Sequence, residues 1–199
     1  AIAATNATQL EGNSGLTPFT FTITRSGTIT GSNSVTWTAI GSGSNPANAT
    51  DFGSVFPSGT VTFAANETSK IITINVQGDT TVELDETFDI ILSAPTNGAT
   101  IITTNATGTI QKDDFTGTTG NNIINGTTGA DILIGLAGND TYTVNNPGDV
   151  VVENLNGGTD TVKADIIYTL PDNVETLILN GSSNLNGTGN ELNNTLTGN

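Results

Sequence analysis

Cysteine is absent from this 199-residue chain, and so is histidine. Without cysteine there are no disulfides and no thiolate metal sites. Without either residue, a zinc ion would have to be held by carboxylates alone, against that metal's preference for nitrogen and sulfur. Nucleophilic triads lose both the thiol and the usual base. Positive charge is almost missing as well. Arg25, Lys70, Lys112 and Lys163 are the four basic residues, scattered singly against 19 acidic ones. Nucleic-acid binding needs clustered Lys and Arg, so it is excluded. Anionic membrane surfaces are disfavoured on the same ground, unless a divalent cation bridges them. No run of eighteen apolar residues occurs, so no helical membrane span is expected. Helix formers are sparse while Thr, Asn and Gly abound, which points to an all-β chain.

What is present is negative charge. A formal net charge of −15 opposes compaction by self-repulsion, and bound cations are the simplest remedy. With sulfur and imidazole excluded, the available ligands are hard oxygens, which suit calcium. No signal peptide is visible and the chain starts at Ala1 without Met. The expectation is a processed or truncated piece of a longer protein.

Two textures meet near Asp114, dividing the chain into 1–114 and 115–199. In the first, Phe19, Phe21 and Ile23 alternate with threonines, as do Val35, Trp37 and Ala39. Val61 and Phe63, then Ile72, Ile74 and Val76, then Phe88, Ile90 and Leu92 continue the pattern. Period-two alternation marks strands with one buried face, and clusters of Gly, Asn, Ser and Pro separate them. With an N-terminal strand and one at Thr107 to Ile110, about seven strands are expected, suiting a β-sandwich.

The second texture repeats every nine residues. Gly117-Thr-Thr-Gly-Asn-Asn122-Ile-Ile124-Asn is followed by Gly126-Thr-Thr-Gly-Ala-Asp131-Ile-Leu133-Ile, and then by Gly135-Leu-Ala-Gly-Asn-Asp140-Thr-Tyr142-Thr. A degenerate fourth copy keeps Asp149 and Val151. Such a period means a solenoid in which each nonapeptide makes a turn and a very short strand, and two complete a coil. Ile124, Leu133, Tyr142 and Val151 share one repeat position and should point inward, buried only when coils stack. Beyond them, Gly157-Gly-Thr-Asp160-Thr-Val162, Ile166 to Leu170 and Val174 to Leu179 read as further short strands, and the end is rich in asparagine. Those amides are expected to hydrogen-bond along the coil. The chain stops inside a repeat, so the parent protein is expected to continue.

This nonapeptide block resembles the RTX, or hemolysin-type, calcium-binding repeat G-G-x-G-x-D-x-U-x. The glycines permit a positive-φ turn that exposes carbonyls, and the Asp adds a carboxylate beside them. Asp131 and Asp149, eighteen apart, should lie on one edge; Asn122 and Asp140 should share the other. Asp131 and Asp140 are the foremost candidate ligands, followed by Asp149. Asn122 offers a carbonyl oxygen without charge and hence a weaker site. Residues 141–199 also resemble segments that interrupt RTX arrays in large secreted bacterial proteins.

The first region carries Glu11-Gly12 near its start, Asp51-Phe52 before a strand, a central Asp79-x-x-x-Glu83-x-Asp85-Glu86, and a closing Asp113-Asp114. This pattern resembles the Calx-β domain, an immunoglobulin-like sandwich whose calcium-binding members gather such acids at one end. The resemblance implies Glu11, Asp79, Glu83, Asp113 and Asp114 as ligands, with Asp51 a further one. The loop 41–50 is neutral, and Gly78 and Lys112 stand where such relatives can carry acids, so fewer or weaker ions are expected. Asp85, Glu86 and Asp89 read as solvated or structural.

The expected fold is thus an immunoglobulin-like Calx-β sandwich followed by a parallel β-roll or β-helix solenoid. The expected function is a calcium-binding extracellular module, structural or adhesive and without catalytic activity. Its partners would be calcium ions, other copies of itself in a fibre or surface layer, and a cell-surface or carbohydrate target. Segment 1–10 could serve as a donated strand in such assembly. The alternative is an accessory segment of a secreted enzyme whose catalytic domain lies elsewhere.

Overall fold

The computed structural model describes residues 1–198; residue 199, the last of the region drawn from sequence as 115–199, lies outside them. The chain forms two compact units, one of residues 1–79 with 84–112, the other of residues 80–83 with 113 onward. Among the described residues there is no α-helix; the helical element is a 3-10 turn at Thr50–Phe52.

The first unit holds eight strands: β1 (Ile2–Asn6), β2 (Thr8–Leu10), β3 (Leu16–Thr24), β4 (Asn33–Ser42), β5 (Ser58–Phe63), β6 (Ser69–Gln77), β7 (Glu86–Ser93) and β8 (Asn105–Gln111). They build a three-stranded sheet in the order β1-β3-β6 and a five-stranded sheet in the order β2-β8-β7-β4-β5. Alternation in the sequence becomes alternation in space. Phe19, Phe21 and Ile23 of β3 meet Val35 and Ala39 of β4 and Phe88 and Ile90 of β7 in one buried core. The Phe88 ring meets Phe19 and Phe21 edge-on, at centroid separations of 5.7 and 5.9 Å. Full burial of each such side chain contributes about 1.5–3 kcal/mol. Gly108 of β8 lies under Phe88, where a β-carbon would strike the ring.

Eight strands stand where about seven were expected, because the N-terminal strand is two. Around the buried Ala7 the chain leaves the first sheet, where β1 runs antiparallel to β3, and joins the second, where β2 runs parallel to β8. Segment 1–10 is therefore already hydrogen-bonded within its own unit. It is not a spare strand, and donation to a neighbour would first require breaking both pairings.

The second unit winds as a parallel solenoid. Its strands are β9 (Asp114–Thr116), β10 (Ile123–Asn125), β11 (Ile132–Ile134), β12 (Thr141–Val144), β13 (Val150–Val152), β14 (Thr161–Ala164), β15 (Tyr168–Thr169), β16 (Thr176–Leu179), β17 (Gly187–Thr188) and β18 (Thr195–Thr197). Alternate strands stack into two main ladders, β10-β12-β14-β16-β18 and β9-β11-β13, with β15 beside β17. Inward residues align from coil to coil: Ile124 stacks on Tyr142, then Val162, then Leu177, Val144 on Ala164, then Leu179, and Leu133 stacks between Phe115 and Val151. These side chains form the unit's core. No single coil encloses its own inward residue, so stacking and burial are one event.

Candidate metal centres

Because coils stack in register, residues one coil apart form columns along the solenoid edges. The residue immediately before each strand of the five-stranded ladder is Asn122, Asp140, Asp160, Glu175 and Asn194 in turn. On the other edge, Asp131 and Asp149 stand before β11 and β13. The pairs read from the eighteen-residue spacing are each brought together. Asp131 N–H donates to Asp149 Oδ1 at 3.1 Å, and Asn122 N–H donates to Asp140 Oδ1 at 2.7 Å.

The same contact continues up the column. Asp140 N–H donates to Asp160 Oδ1 at 2.8 Å, and Asp160 N–H to Glu175 Oε2 at 2.8 Å. On the opposite edge Ile132 N–H donates to Asp114 Oδ1 at 2.8 Å. Each such carboxylate thus uses one oxygen to satisfy an amide of an adjacent coil. Asp131 also accepts from Thr127, through the amide at 2.8 Å and the hydroxyl at 2.7 Å. Asp149 accepts from the amides of Asn145 and Asn146.

Burial puts these groups under electrostatic stress. Asp131, Asp140, Asp149 and Asp160 are all buried, and Asn122 is half-buried. Burial pushes the Asp131 carboxyl up to about 6, with the Asp149 charge adding to it and the Thr127 hydrogen bonds opposing it. Asp160 also rises to about 6, through burial and then the charges of Glu153 and Asp140, against a hydrogen bond from the Asp140 amide. On Asp140 and Asp160 the second oxygen, Oδ2, is buried and has no hydrogen-bond partner. An orphaned, buried carboxylate oxygen is costly, and a divalent cation is the group that offsets several at once.

Asp160 was not among the candidates read from the sequence. Its signature, Gly157-Gly-Thr-Asp-Thr-Val162, echoes Gly138-Asn-Asp140-Thr-Tyr142, but two extra residues place β14 twenty residues after β12 in the pairing. Arithmetic in eighteens passes over it. Glu153, also buried, was missed because it follows three valines and reads as a strand flank.

In the first unit, Glu11 and Asp51 are buried, with carboxylate oxygens within 4.8 Å of one another. Glu11 is fixed by its backbone: its amide donates to the Gln111 carbonyl at 3.1 Å, and its own carbonyl accepts from the Thr17 hydroxyl at 2.7 Å. Asp51 sits in the 3-10 turn and accepts from the Asn48 amide at 2.6 Å. Asp79 is exposed, Glu83 is half-buried, and Asp113 and Asp114 are buried. Asp85 accepts from the Lys112 amide, and Asp89 accepts from Asn105 and Thr107, structural contacts of the kind read from the sequence. Gly78 has a steric reason for carrying no acid: a β-carbon there would collide with the Gly12 backbone.

Separate family models match the two textures. A Calx-beta domain model matches residues 4–117, and a model of the RTX calcium-binding nonapeptide repeat, in four copies, matches residues 107–145. Among solved structures, calcium binding domain CBD12 of CALX1.1 is 23% identical at a TM-score of 0.46, covering 64% of this chain and 51% of that one. CBD12 from CALX1.2 is 25% identical at 0.48, covering 61% and 49%. The apo-form Calx CBD1 domain is 27% identical at 0.45, covering 57% and 98%. The chain thus spans about half the length of the first two. No curated protein matches it.

Proposed function

Because the chain belongs to the Calx-beta domain family and runs on into RTX calcium-binding repeats, we propose that it is an extracellular structural or adhesive module whose solenoid is ordered by calcium. One observation carries this reading: the repeat carboxylates stack on both solenoid edges, fully or nearly fully buried, with Asp140 and Asp160 each holding one oxygen that no protein group satisfies. Such columns gain what they lack from a cation with an appetite for oxygen. Metal binding then contributes directly to folding, so a chain exported unfolded would fold on meeting external calcium.

The proposed ligands on the solenoid are Asp131 with Asp149 and Asp140 with Asn122, each joined by turn carbonyls. In the sandwich they are Glu11 and Asp51, while Asp79, Glu83, Asp113 and Asp114 are the further ligands that the family pattern names. Catalysis has no place in this reading: no histidine or cysteine exists to serve as base or nucleophile, and the acids are engaged in turns. No helix among the described residues is long and apolar enough to cross a membrane. Self-association into a fibre or surface layer would pair sheet edges between copies instead of donating segment 1–10, which is already paired within its own unit. A cell-surface or carbohydrate target fits the adhesive role.

The test is thermal and chemical unfolding in millimolar calcium and in excess chelator. A large rise in midpoint and in β-sheet circular dichroism on adding calcium is expected. Identical unfolding in the two conditions would sink the proposal. Electron microscopy in calcium tests assembly, and a monodisperse monomer at high concentration would count against it.

A further inference from the structure

We propose that Asp140, Glu153 and Asp160, capped by the Tyr142 hydroxyl, form an interior calcium site that the nine-residue repeat does not encode; this rests on the reading of the solenoid as calcium-ordered.

Glu153 occupies a position that is glycine in the coils stacked on it. Thr116, Ile134 and Val152 are in register, so the next residues, Gly117, Gly135 and Glu153, form a column. At its third place the glycine is replaced by a long acid whose side chain turns inward and is buried. Glu153 Oε1 accepts from the Tyr142 hydroxyl, and Oε2 accepts from the Asn154 amide at 3.1 Å. A β-carbon on Gly135 would strike Tyr142 OH, Glu153 Oε1 and Asp140 Oδ2 together. Three polar atoms from two segments, 140–142 and Glu153, therefore converge over one glycine.

One oxygen each of Asp140, Glu153 and Asp160 lies within 4.8 Å of the others. The Asp residues bring a specific need to this point. Their Oδ1 atoms are tied to the Asn122 and Asp140 amides, while Oδ2 of each is buried without any hydrogen-bond partner. The contrast with the other edge is informative. There Asp131 and Asp149 have both oxygens occupied by turn donors, whereas Asp140 and Asp160 each keep one oxygen that no protein group satisfies. No ammonium or guanidinium is bonded to the interior acids among the described residues.

The chemistry selects the ion. Three carboxylates and a phenol are all-oxygen donors, which excludes a preference for zinc or copper. The site is enclosed, so an ion entering it must shed most of its water. Calcium does this readily, whereas magnesium keeps its waters.

The experiment uses the whole chain. Bound calcium is counted by equilibrium dialysis with elemental analysis for the native protein, Glu153→Gln and Asp131→Asn. Terbium is then substituted and its emission excited through tyrosine. Glu153→Gln should bind one ion fewer than the native chain, with magnesium failing to compete at equal concentration. Tyr142→Phe should keep the ion count but lose most of the tyrosine-sensitised terbium emission, while Tyr168→Phe keeps that component. If Glu153→Gln does not fold, the Tyr142→Phe emission decides alone. An unchanged ion count in folded Glu153→Gln, or unchanged emission in Tyr142→Phe, overturns the interior site. If Asp131→Asn still loses an ion in that case, calcium ordering of the edges stands and only the interior site falls; if neither variant loses one, both fall.

Discussion

Asp131 should change the sign of its effect on stability with the presence of calcium. In the metal-free chain its carboxyl is fully buried and raised from 3.8 to about 6. At pH 7 it is ionised in both the folded and unfolded states. The displacement of about two units corresponds to roughly 3 kcal/mol lost to folding. Asp131→Asn removes that charge and keeps a carbonyl oxygen for the Thr127 amide. It rearranges the contact with the Thr127 hydroxyl, worth about 0.5–1.5 kcal/mol. The metal-free variant should therefore be more stable than the native chain by about 2 kcal/mol. With calcium a hundredfold above its dissociation constant, the native site gains about 2.7 kcal/mol by mass action. The variant forfeits this, so the native chain should lead by about 1 kcal/mol.

The molecule supplies separate reporters for the measurement. Both tyrosines, Tyr142 and Tyr168, lie in the solenoid, and the single tryptophan, Trp37, lies in the sandwich. Near-ultraviolet tyrosine circular dichroism in denaturant titrations follows the first, and tryptophan fluorescence the second. The order of midpoints for native and Asp131→Asn should invert between chelator and calcium in the tyrosine signal, with the tryptophan signal unmoved. An effect of one sign in both conditions would refute the account of Asp131 as a charge that only a metal makes favourable.

Three further outcomes follow from the same contacts. The metal-free solenoid should be most stable below about pH 4, weaken as pH rises toward about 6, and level off above; Asp131 and Asp160 keep their protons longer when folded than when unfolded, and saturating calcium should abolish this fall in a pH series of tyrosine-detected unfolding. Gly108→Ala drives a methyl into the Phe88 ring and should cost the sandwich about 1–3 kcal/mol, read as an earlier tryptophan transition with the tyrosine transition unchanged. Leu136 sits at φ +79°, a left-handed conformation at the repeat's second-glycine position. Leu136→Gly should release that strain and stabilise the solenoid by about 0.5–1 kcal/mol, visible as a higher denaturant midpoint.

Much of this was legible in the sequence because two periodicities carry it. Alternation by twos put Phe19, Phe21 and Phe88 into a core, and the period of nine put Ile124, Leu133 and Tyr142 on one inward line. Spacing by eighteens placed Asp131 beside Asp149 and Asn122 beside Asp140. What escaped depends on departures from period or on contacts between distant segments. The break at Ala7 has no turn signal, because one buried alanine suffices to pass the chain between sheets. Asp160 is displaced by two inserted residues. Glu153 stands where the repeat prescribes glycine, and its inward turn is intelligible only once Gly135 is seen to leave room for it. The approach of Glu11 to Asp51 joins a loop to a 3-10 turn forty residues away, which no local pattern records.

The column Asn122, Asp140, Asp160, Glu175, Asn194 has amides at its ends and acids in its middle, and the difference is chemical. An ionised carboxylate accepts hydrogen bonds but donates none, whereas an amide does both. Asn194 Oδ1 accepts from the Asn190 amide at 2.7 Å, while its Nδ2 donates to the Val174 carbonyl at 3.1 Å and to Asn190 Oδ1 at 3.0 Å. Asn190 Nδ2 donates in turn to the Val174 carbonyl at 2.8 Å. Asn122 likewise accepts from the Thr118 amide and donates to its hydroxyl. The amide turns close on themselves, but the acidic turns at Asp140 and Asp160 each leave one buried carboxylate oxygen without a hydrogen-bond partner. Calcium dependence should therefore be concentrated in the coils around Asp131 to Asp160, with the asparagine coils near 186–195 contributing little to it. Hydrogen exchange with and without chelator measures this. On chelation, amides of β11 to β14 should lose protection by at least tenfold more than those of β16. Equal loss along the whole solenoid would show that the amide coils depend on calcium as much as the acidic ones.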